Sequence, residues 1–269
     1  MSYTKKNVKD FWNENSCGEN LYLSNKKKDG YSEHSNRRYD LEGYLIFPFA
    51  EFEKSNGLKV LEIGVGLGAD HQKFAESGAL LNGIDLTERA IRHTSNRFKA
   101  FSLNSNLKVG DAENLDFESN LFDVVYSWGV LHHSPNTPKA ISEVYRVLKP
   151  NGEAKIMIYH KWSLVGFMLW IRYALLNFKP WLTLNEIYSE YLESPGTKAY
   201  SISQAKKIFS KFKDVKITTI LSPHDLLESD AGQRHRGFIL KMAYKIWPRF
   251  FLRYFFKNFG LTMLIKAKK

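Results

Sequence analysis

The run Val60-Leu-Glu-Ile-Gly-Val-Gly-Leu-Gly-Ala-Asp70 limits what this chain can fold into more than any other stretch. Val60 to Ile63 is a short apolar-rich run, as a buried parallel strand needs. Gly64, Gly66 and Gly68 then permit a tight turn and a close backbone approach to a ligand, because glycine reaches positive φ at no steric cost. Ala69 to Ala75 reads as the next helix, whose unpaired N–H groups and positive dipole end face that turn. Asp85, in Asn82-Gly-Ile-Asp-Leu86, closes a second strand where a carboxylate can accept from two ribose hydroxyls. The unit reads as a nucleoside-binding strand–turn–helix. Gly64-x-Gly66-x-x-Ala69 also fits a relaxed nicotinamide or flavin fingerprint. Glu62, just before the turn, suits a ligand without a pyrophosphate.

Further motifs follow in order. Leu107-Lys-Val-Gly-Asp-Ala-Glu113 reads as a third strand running into Asp111-Ala112, and Phe122-Asp-Val-Val-Tyr-Ser127 as a fourth. Trp128-Gly-Val-Leu-His-His133 and the helix-to-strand passage Ala140-Ile-Ser-Glu-Val-Tyr-Arg-Val-Leu-Lys-Pro-Asn-Gly152 come next. Together these resemble the class I S-adenosylmethionine-dependent methyltransferases, in particular the small-molecule group with the ubiquinone/menaquinone-type enzymes. The resemblance covers residues 57–160.

It implies roles residue by residue. Glu62, Gly64, Gly66 and Gly68 match the motif that holds the methionyl part of S-adenosylmethionine. Asp85 matches the ribose-binding acid, with Leu86 beside the adenine. Asp111 and Ala112 match the adenine-edge pair, and Ser127 and Trp128 lie next to the sulfonium. Leu115-Asp-Phe117 departs from the family's Leu-Pro-Phe, which changes loop stiffness more than chemistry.

The implied fold is α/β. It has a doubly wound, seven-stranded, mostly parallel, Rossmann-like sheet with an antiparallel last strand. Residues 1–269 then form one domain, with an N-terminal helical cap (1–56) and a cofactor-binding core (57–160). A helical lid insertion (161–200) follows, then the C-terminal part of the sheet (201–269) with a basic, aromatic helical insertion (237–259). Asn36 to Phe52 reads as a helix of the cap. Ser203 is expected to cap a helix over Gln204–Phe212, Asp214–Leu221 alternates as a strand, and Gly260–Ala267 reads as the last one. A single cysteine, Cys17, forms no internal disulfide and no cysteine metal cluster. The N-terminus lacks the apolar stretch of a signal peptide. A cytoplasmic enzyme is expected, with contact to the inner face of a membrane left open.

The net charge of +11 is concentrated at one end. Residues 231–269 carry 10 basic and no acidic side chains, whereas residues 51–230 carry 21 of each. Lys241, Lys245, Arg249, Arg253 and Lys257 recur every four positions among aromatic and aliphatic residues, a drifting basic stripe if helical. Pro248 should break or restart that helix. Three readings fit: helices packed on the core, a peripheral membrane contact through 238–259, or a phosphate-binding surface. The aromatics cluster in runs and are not spaced as stacking platforms, so nucleic acid is the least supported partner. Trp162 to Phe178 has one charge, Arg172. It is too short and too interrupted to span a bilayer, and reads as a helical lid with an apolar underside.

In-line methyl transfer needs a desolvated nucleophile in place, and a base only where the acceptor must lose a proton. His132 and His133, just past the fourth strand, are the candidate proton acceptors, and lining the pocket without titrating is the competing role. Tyr159 and His160 end the fifth strand, and Tyr31, Arg38, Tyr39 and Tyr200 are further candidates for substrate contact. No metal is implied. His224, Asp225, Asp230 and His235 lack a metal-ligand spacing and read as a solvated loop. Ser127-Trp-Gly-Val130 replaces the Asp/Asn-Pro-Pro-aromatic turn of base-amine methyltransferases. The expected activity is methyl transfer from S-adenosylmethionine to a small, hydrophobic or lipid-like acceptor. An RNA methyltransferase and a non-catalytic assembly partner are the alternatives. Oligomeric state is not legible.

Overall fold

The computed structural model describes residues 3–228, 245 and 247–269. Its strands are β1 (Lys59–Ile63), β2 (Leu80–Asp85), β3 (Asn106–Val109), β4 (Phe122–Trp128), β5 (Leu148–Tyr159), β6 (Lys213–Ile220) and β7 (Thr262–Lys268). They form one sheet in the order β3-β2-β1-β4-β5-β7-β6. The pairs β2–β3, β1–β2, β1–β4 and β4–β5 are parallel, and β7 runs antiparallel to both β5 and β6. The chain winds outward from β1 to β3 and then restarts at β4 on the other side of β1. Ligands bind at such a switch point, outside the carboxyl ends of the strands.

Helices cover both faces. Neighbouring residues of β1 split between them: Val60 packs with Phe49, Phe52, Phe74 and Tyr126, while Leu61 and Ile63 pack with Phe122, Val144, Leu148 and Ile156. This is the alternation a pleated strand imposes. The helices named below are α1 (Lys5–Glu14), α2 (Glu19–Tyr22), α3 (Lys28–Ala50), α4 (Ala69–Glu76), α5 (Glu88–Ala100), α6 (Thr137–Val147), α7 (Leu164–Tyr173), α8 (Leu184–Ile187) and α9 (Ile202–Ile208), followed by a helix over Arg249–Phe255.

Several elements differ from the sequence reading. The cap helix α3 begins at Lys28, ahead of Asn36, because Gly30 lets Asn25 lie against it; a Cβ there would meet the Asn25 carbonyl oxygen at 2.2 Å. The cap of α9 is Ser201, not Ser203. Ser201 Oγ accepts from the Gln204 amide while the Gln204 side chain accepts from the Ser201 amide, a reciprocal box that Ser203 cannot form. Asp225 is fully buried, not solvated. Its carboxylate accepts from the Ser222 amide and hydroxyl and from the Leu261 amide, joining that turn to the start of β7. Pro248 stands at the N-cap of the last helix, where its ring opposes no helical hydrogen bond. Asp230, His235 and the 238–244 part of the basic stripe lie outside the described residues.

Trp162–Phe178 folds as α7, capped by Ser163, and a short 3-10 turn over Leu175–Asn177. Gly166 is required in α7, since a Cβ there would sit 1.8 Å from the Tyr188 hydroxyl oxygen. No helix among the described residues is long and apolar enough to cross a membrane.

Candidate functional site

At the end of β1 the chain turns through Gly64 (φ 85°), Gly66 (φ 53°) and Gly68 (φ 77°), the last serving as N-cap of α4. A Cβ on Gly64 would lie 2.2 Å from Val130 Cγ2, whereas one on Gly66 would meet nothing within 4 Å. Gly64 is therefore demanded by packing against the loop after β4, and Gly66 by its backbone angle and the open space above it. Asp85 accepts from the Gly66 amide at 3.2 Å, the Thr87 amide at 3.0 Å and the Thr87 hydroxyl at 2.9 Å. Burial still raises its pKa above the ordinary carboxylate value.

These residues wall a cavity of about 560 Å³ over the carboxyl ends of the parallel strands. Its lining includes Glu62, Gly64, Gly66, Gly68, Asp85, Leu86, Asp111, Ala112 and Trp128, which brings nine of the ten sequence-derived cofactor positions to one space. Ser127 is the exception. It is fully buried, and its hydroxyl donates to the Ile63 carbonyl at 2.9 Å, fastening β4 to the end of β1.

Glu62 sits below the glycine turn with Oε2 2.9 Å from His71 Nδ1. The other ring nitrogen of His71 faces Ser105 Oγ at 2.8 Å, and that hydroxyl donates to the Leu81 carbonyl. Ser105 thus accepts from His71 Nε2–H, which leaves Nδ1 as an acceptor and the Glu62 carboxyl as its donor. Burial and the neighbouring Asp70 push the Glu62 pKa well up, and burial pushes His71 down to about 3, both in accord with that proton placement.

At the far end of the cavity α1 closes over the third strand. Lys5 Nζ bonds Asp111 Oδ2 at 2.5 Å and approaches Glu113 at 3.1 Å. Val8, Phe11 and Trp12 of the same helix also line the space. Glu113 in turn accepts from the Ser134 hydroxyl and the Asn136 amide, holding the loop after His133.

The two histidines stand in a 3-10 turn after β4. His133 lines the cavity; its Nδ1 lies 2.8 Å from Ser194 Oγ and its Nε2 3.3 Å from Glu193 Oε2. The same Glu193 oxygen accepts from the Tyr159 hydroxyl at 2.8 Å. Burial alone would raise the Glu193 pKa, but His133 and Tyr159 hold it below the ordinary value, so a carboxylate stands here. His132 lies behind this group, fully buried, its ring centroid 3.8 Å from that of Tyr159, with no hydrogen-bond partner on either nitrogen. Burial, then His133 and Lys198, drive its pKa far down and keep it neutral. One donor atom from each of His132, His133 and Glu193 lies within 4.8 Å of the others. Cys17 also lines the cavity, with its side chain exposed.

The other sequence-derived substrate positions divide. Tyr159 and Arg38 line the cavity. Arg38 is tied to Asp70 through two bonds of 3.1 and 2.7 Å, and Tyr39 and Tyr126 donate to the same carboxylate. Tyr39, Tyr31, His160 and Tyr200 are absent from the lining. Tyr31 is buried under Arg97 and beside His93; His160 Nδ1 faces the Gly260 carbonyl; Tyr200 pairs with His160 at the edge of the sheet.

Glu193, Lys5 and Asp70 were not singled out from the sequence. Glu193-Ser-Pro-Gly-Thr-Lys-Ala-Tyr-Ser201 read as a turn-rich loop, which gives no hint that Ser194 and Thr197 bond His133 and that the Lys198 amide bonds the His132 carbonyl. A carboxylate and two hydroxyl residues around a Pro-Gly turn is the only local signal. Lys5 and Asp70 are read through pairings 106 and 32 residues distant.

Residues 61–156 match the family model described as a methyltransferase domain. Phosphoethanolamine N-methyltransferase 2 of Caenorhabditis elegans is 35% identical over 126 residues, which is 46% of this chain and 28% of that protein. Demethylmenaquinone methyltransferase of Tropheryma whipplei is 28% identical over 152 residues, 55% of this chain and 62% of the relative. The chain thus spans less than two thirds of the length of these curated relatives. A solved S-adenosylmethionine-dependent methyltransferase from Archaeoglobus fulgidus superposes with a TM-score of 0.56 at 17% identity, covering 89% of this chain and 94% of that one. The Haemonchus contortus phosphoethanolamine N-methyltransferase 2, solved with phosphomonomethylethanolamine and S-adenosylhomocysteine, superposes at 0.57 with 20% identity over 97% of this chain and 60% of the other. At that identity the superpositions speak for the fold.

Proposed function

We infer that this chain, built around a class I S-adenosylmethionine-dependent methyltransferase domain, transfers the cofactor's methyl group to a small-molecule acceptor with an apolar body. The residues present fit the cofactor: the turn at Gly64 and Gly66 leaves room where side chains would stand, and carboxylates from the ends of β1, β2 and β3 face one cavity. Asp85 would take the ribose hydroxyls, Asp111 the adenine amine, and Glu62 with the glycine turn the methionyl end. When bound, the cofactor supplies a methyl group already activated on a sulfonium.

The observation that carries the acceptor class is the apolar part of the same cavity, the acceptor chamber of this reading, lined by Met157, Val165, Met168, Leu169 and Leu261. These apolar walls exclude water from the acceptor and hold its nucleophilic atom in line, which is most of what the displacement requires. Glu193 with His133 is the group at that wall able to take a proton from an acceptor hydroxyl or activated carbon. Tyr159 and Ser194 fix the two members in place. The acid–base pair contributes about 10²–10⁴ in rate where the acceptor must ionise.

The test is to incubate the purified protein with methyl-labelled S-adenosylmethionine and a fractionated lysate. Label is expected in the organic-solvent fraction. Label confined to nucleic acid or to polar metabolites would refute the apolar acceptor, and Asp85→Asn should abolish labelling in every fraction.

A further inference from the structure

We propose that the outward surfaces of α7, the turn after it and the Arg249–Phe255 helix dock on an anionic lipid bilayer, so that the acceptor chamber is reached from the membrane. The first observation is exposure of large aromatics on both segments. Phe178 is 87% exposed, Trp181 71%, Phe250 87% and Tyr254 72%. Monomer surfaces carry single apolar residues routinely, but not runs of this size on adjoining elements.

The second is that the two segments belong to one assembly around the chamber. The Leu164 amide at the start of α7 donates to the Phe259 carbonyl, and Leu164 packs with Leu226 and Leu252, the last from the C-terminal helix. Inside, Leu169, Leu176 and Trp247 line the same cavity. The α7 segment therefore both walls the cavity and leads into the exposed Phe178 and Trp181, and Trp247, which walls it too, stands just before the helix that exposes Phe250 and Tyr254.

The third is charge. Residues 161–185 and 231–269 contain no aspartate or glutamate, and Lys179, Lys245 and Lys257 are exposed among the aromatics. A second copy of this chain would bring like charges together across a two-fold axis. An anionic headgroup layer instead offers each lysine a counter-charge and each ring an interfacial depth suited to aromatic side chains. A helix of α7's length, ten residues, reaches about 15 Å against the roughly 30 Å apolar core of a bilayer, so it lies in the plane. The docking rests on the reading of the chamber as the acceptor site only for what is drawn through it; attachment itself does not depend on that reading.

The experiment adds purified protein to vesicles of phosphatidylcholine alone and of phosphatidylcholine mixed with phosphatidylglycerol. It measures co-sedimentation, and quenching of tryptophan fluorescence by lipids brominated in the acyl chain. Binding to the mixed vesicles, weakened by salt and reduced at least about tenfold in Phe178→Ser/Trp181→Ser and in Phe250→Ser/Tyr254→Ser, is the expected result. Because these side chains are exposed, each variant should keep the wild-type melting temperature and S-adenosylmethionine affinity. Failure to bind anionic vesicles, or binding that the substitutions leave unchanged, would overturn the proposal. So would a dimer in light scattering that the same substitutions dissociate. Label found only in polar metabolites would end the apolar-acceptor reading while leaving vesicle binding intact.

Discussion

The Tyr159 hydroxyl donates to Glu193 Oε2 at 2.8 Å, across 34 residues of chain, and so joins the end of β5 to the loop that wraps the two histidines. That oxygen is also the one facing His133 Nε2. A single carboxylate thereby orients a phenol and an imidazole toward the same chamber.

Glu193→Gln keeps the shape and removes the charge. With an acceptor that must lose a proton, kcat should fall by about 10²–10⁴ while KM and cofactor affinity stay near wild type. Tyr159→Phe should give a smaller loss. A variant with unchanged kcat and an unchanged pH profile would remove Glu193 from the proton path.

Cofactor binding should release a proton from Glu62. Buried against Asp70, the Glu62 carboxyl has a raised pKa and donates to His71 in the free protein. A ligand bearing a sulfonium and an ammonium favours the carboxylate. Below the raised pKa that proton has to be displaced, so affinity should rise with pH up to that value and then level off, by up to about tenfold per pH unit. Calorimetry at one pH in buffers of different ionisation enthalpy measures the released proton directly. Glu62→Gln should abolish the buffer dependence.

Gly64→Ala and Gly66→Ala separate packing from backbone strain. Both need a left-handed angle, a cost of about 1–2 kcal/mol for alanine. Only the first also drives a Cβ to 2.2 Å from Val130 Cγ2, which adds roughly 1–3 kcal/mol of overpacking. Urea denaturation should therefore find Gly64→Ala clearly less stable than Gly66→Ala. Equal stability would mean the Val130 loop yields freely.

Stability should fall as the solution is acidified below neutrality, in part through His34. Burial, then the charge of Arg97, pushes its pKa down to about 3, and Arg97 Nη2 faces its Nδ1 at 2.9 Å. The folded value lies below the unfolded one, so the unfolded chain takes up the proton first as pH drops. This contribution is whole above about pH 6.5 and is lost between there and pH 3. The part lost by pH 5.5 is about 1.4 kcal/mol. His34→Gln should flatten the difference in unfolding free energy between pH 7.5 and 5.5 by that amount.

Where the sequence was legible, the information was local. Strand β1, the glycine turn, α4 and the acid closing β2 lie within one stretch of chain, so apolar runs and glycine spacing sufficed to place Glu62, Gly64, Gly66, Gly68 and Asp85 around one space. The order of the later strands followed from motifs at the right intervals. The tertiary structure alone decided which polar groups meet across distant segments. Glu193 reaches His133 from 60 residues away, Lys5 reaches Asp111 from 106, and Asp70 takes the Arg38 and Tyr39 side chains that read as substrate contacts. Side-chain partnerships of that kind leave no period in the chain. They depend on which loops the sheet brings to its carboxyl edge, and on the cost of leaving a buried charge without a partner, which only the packed fold reveals.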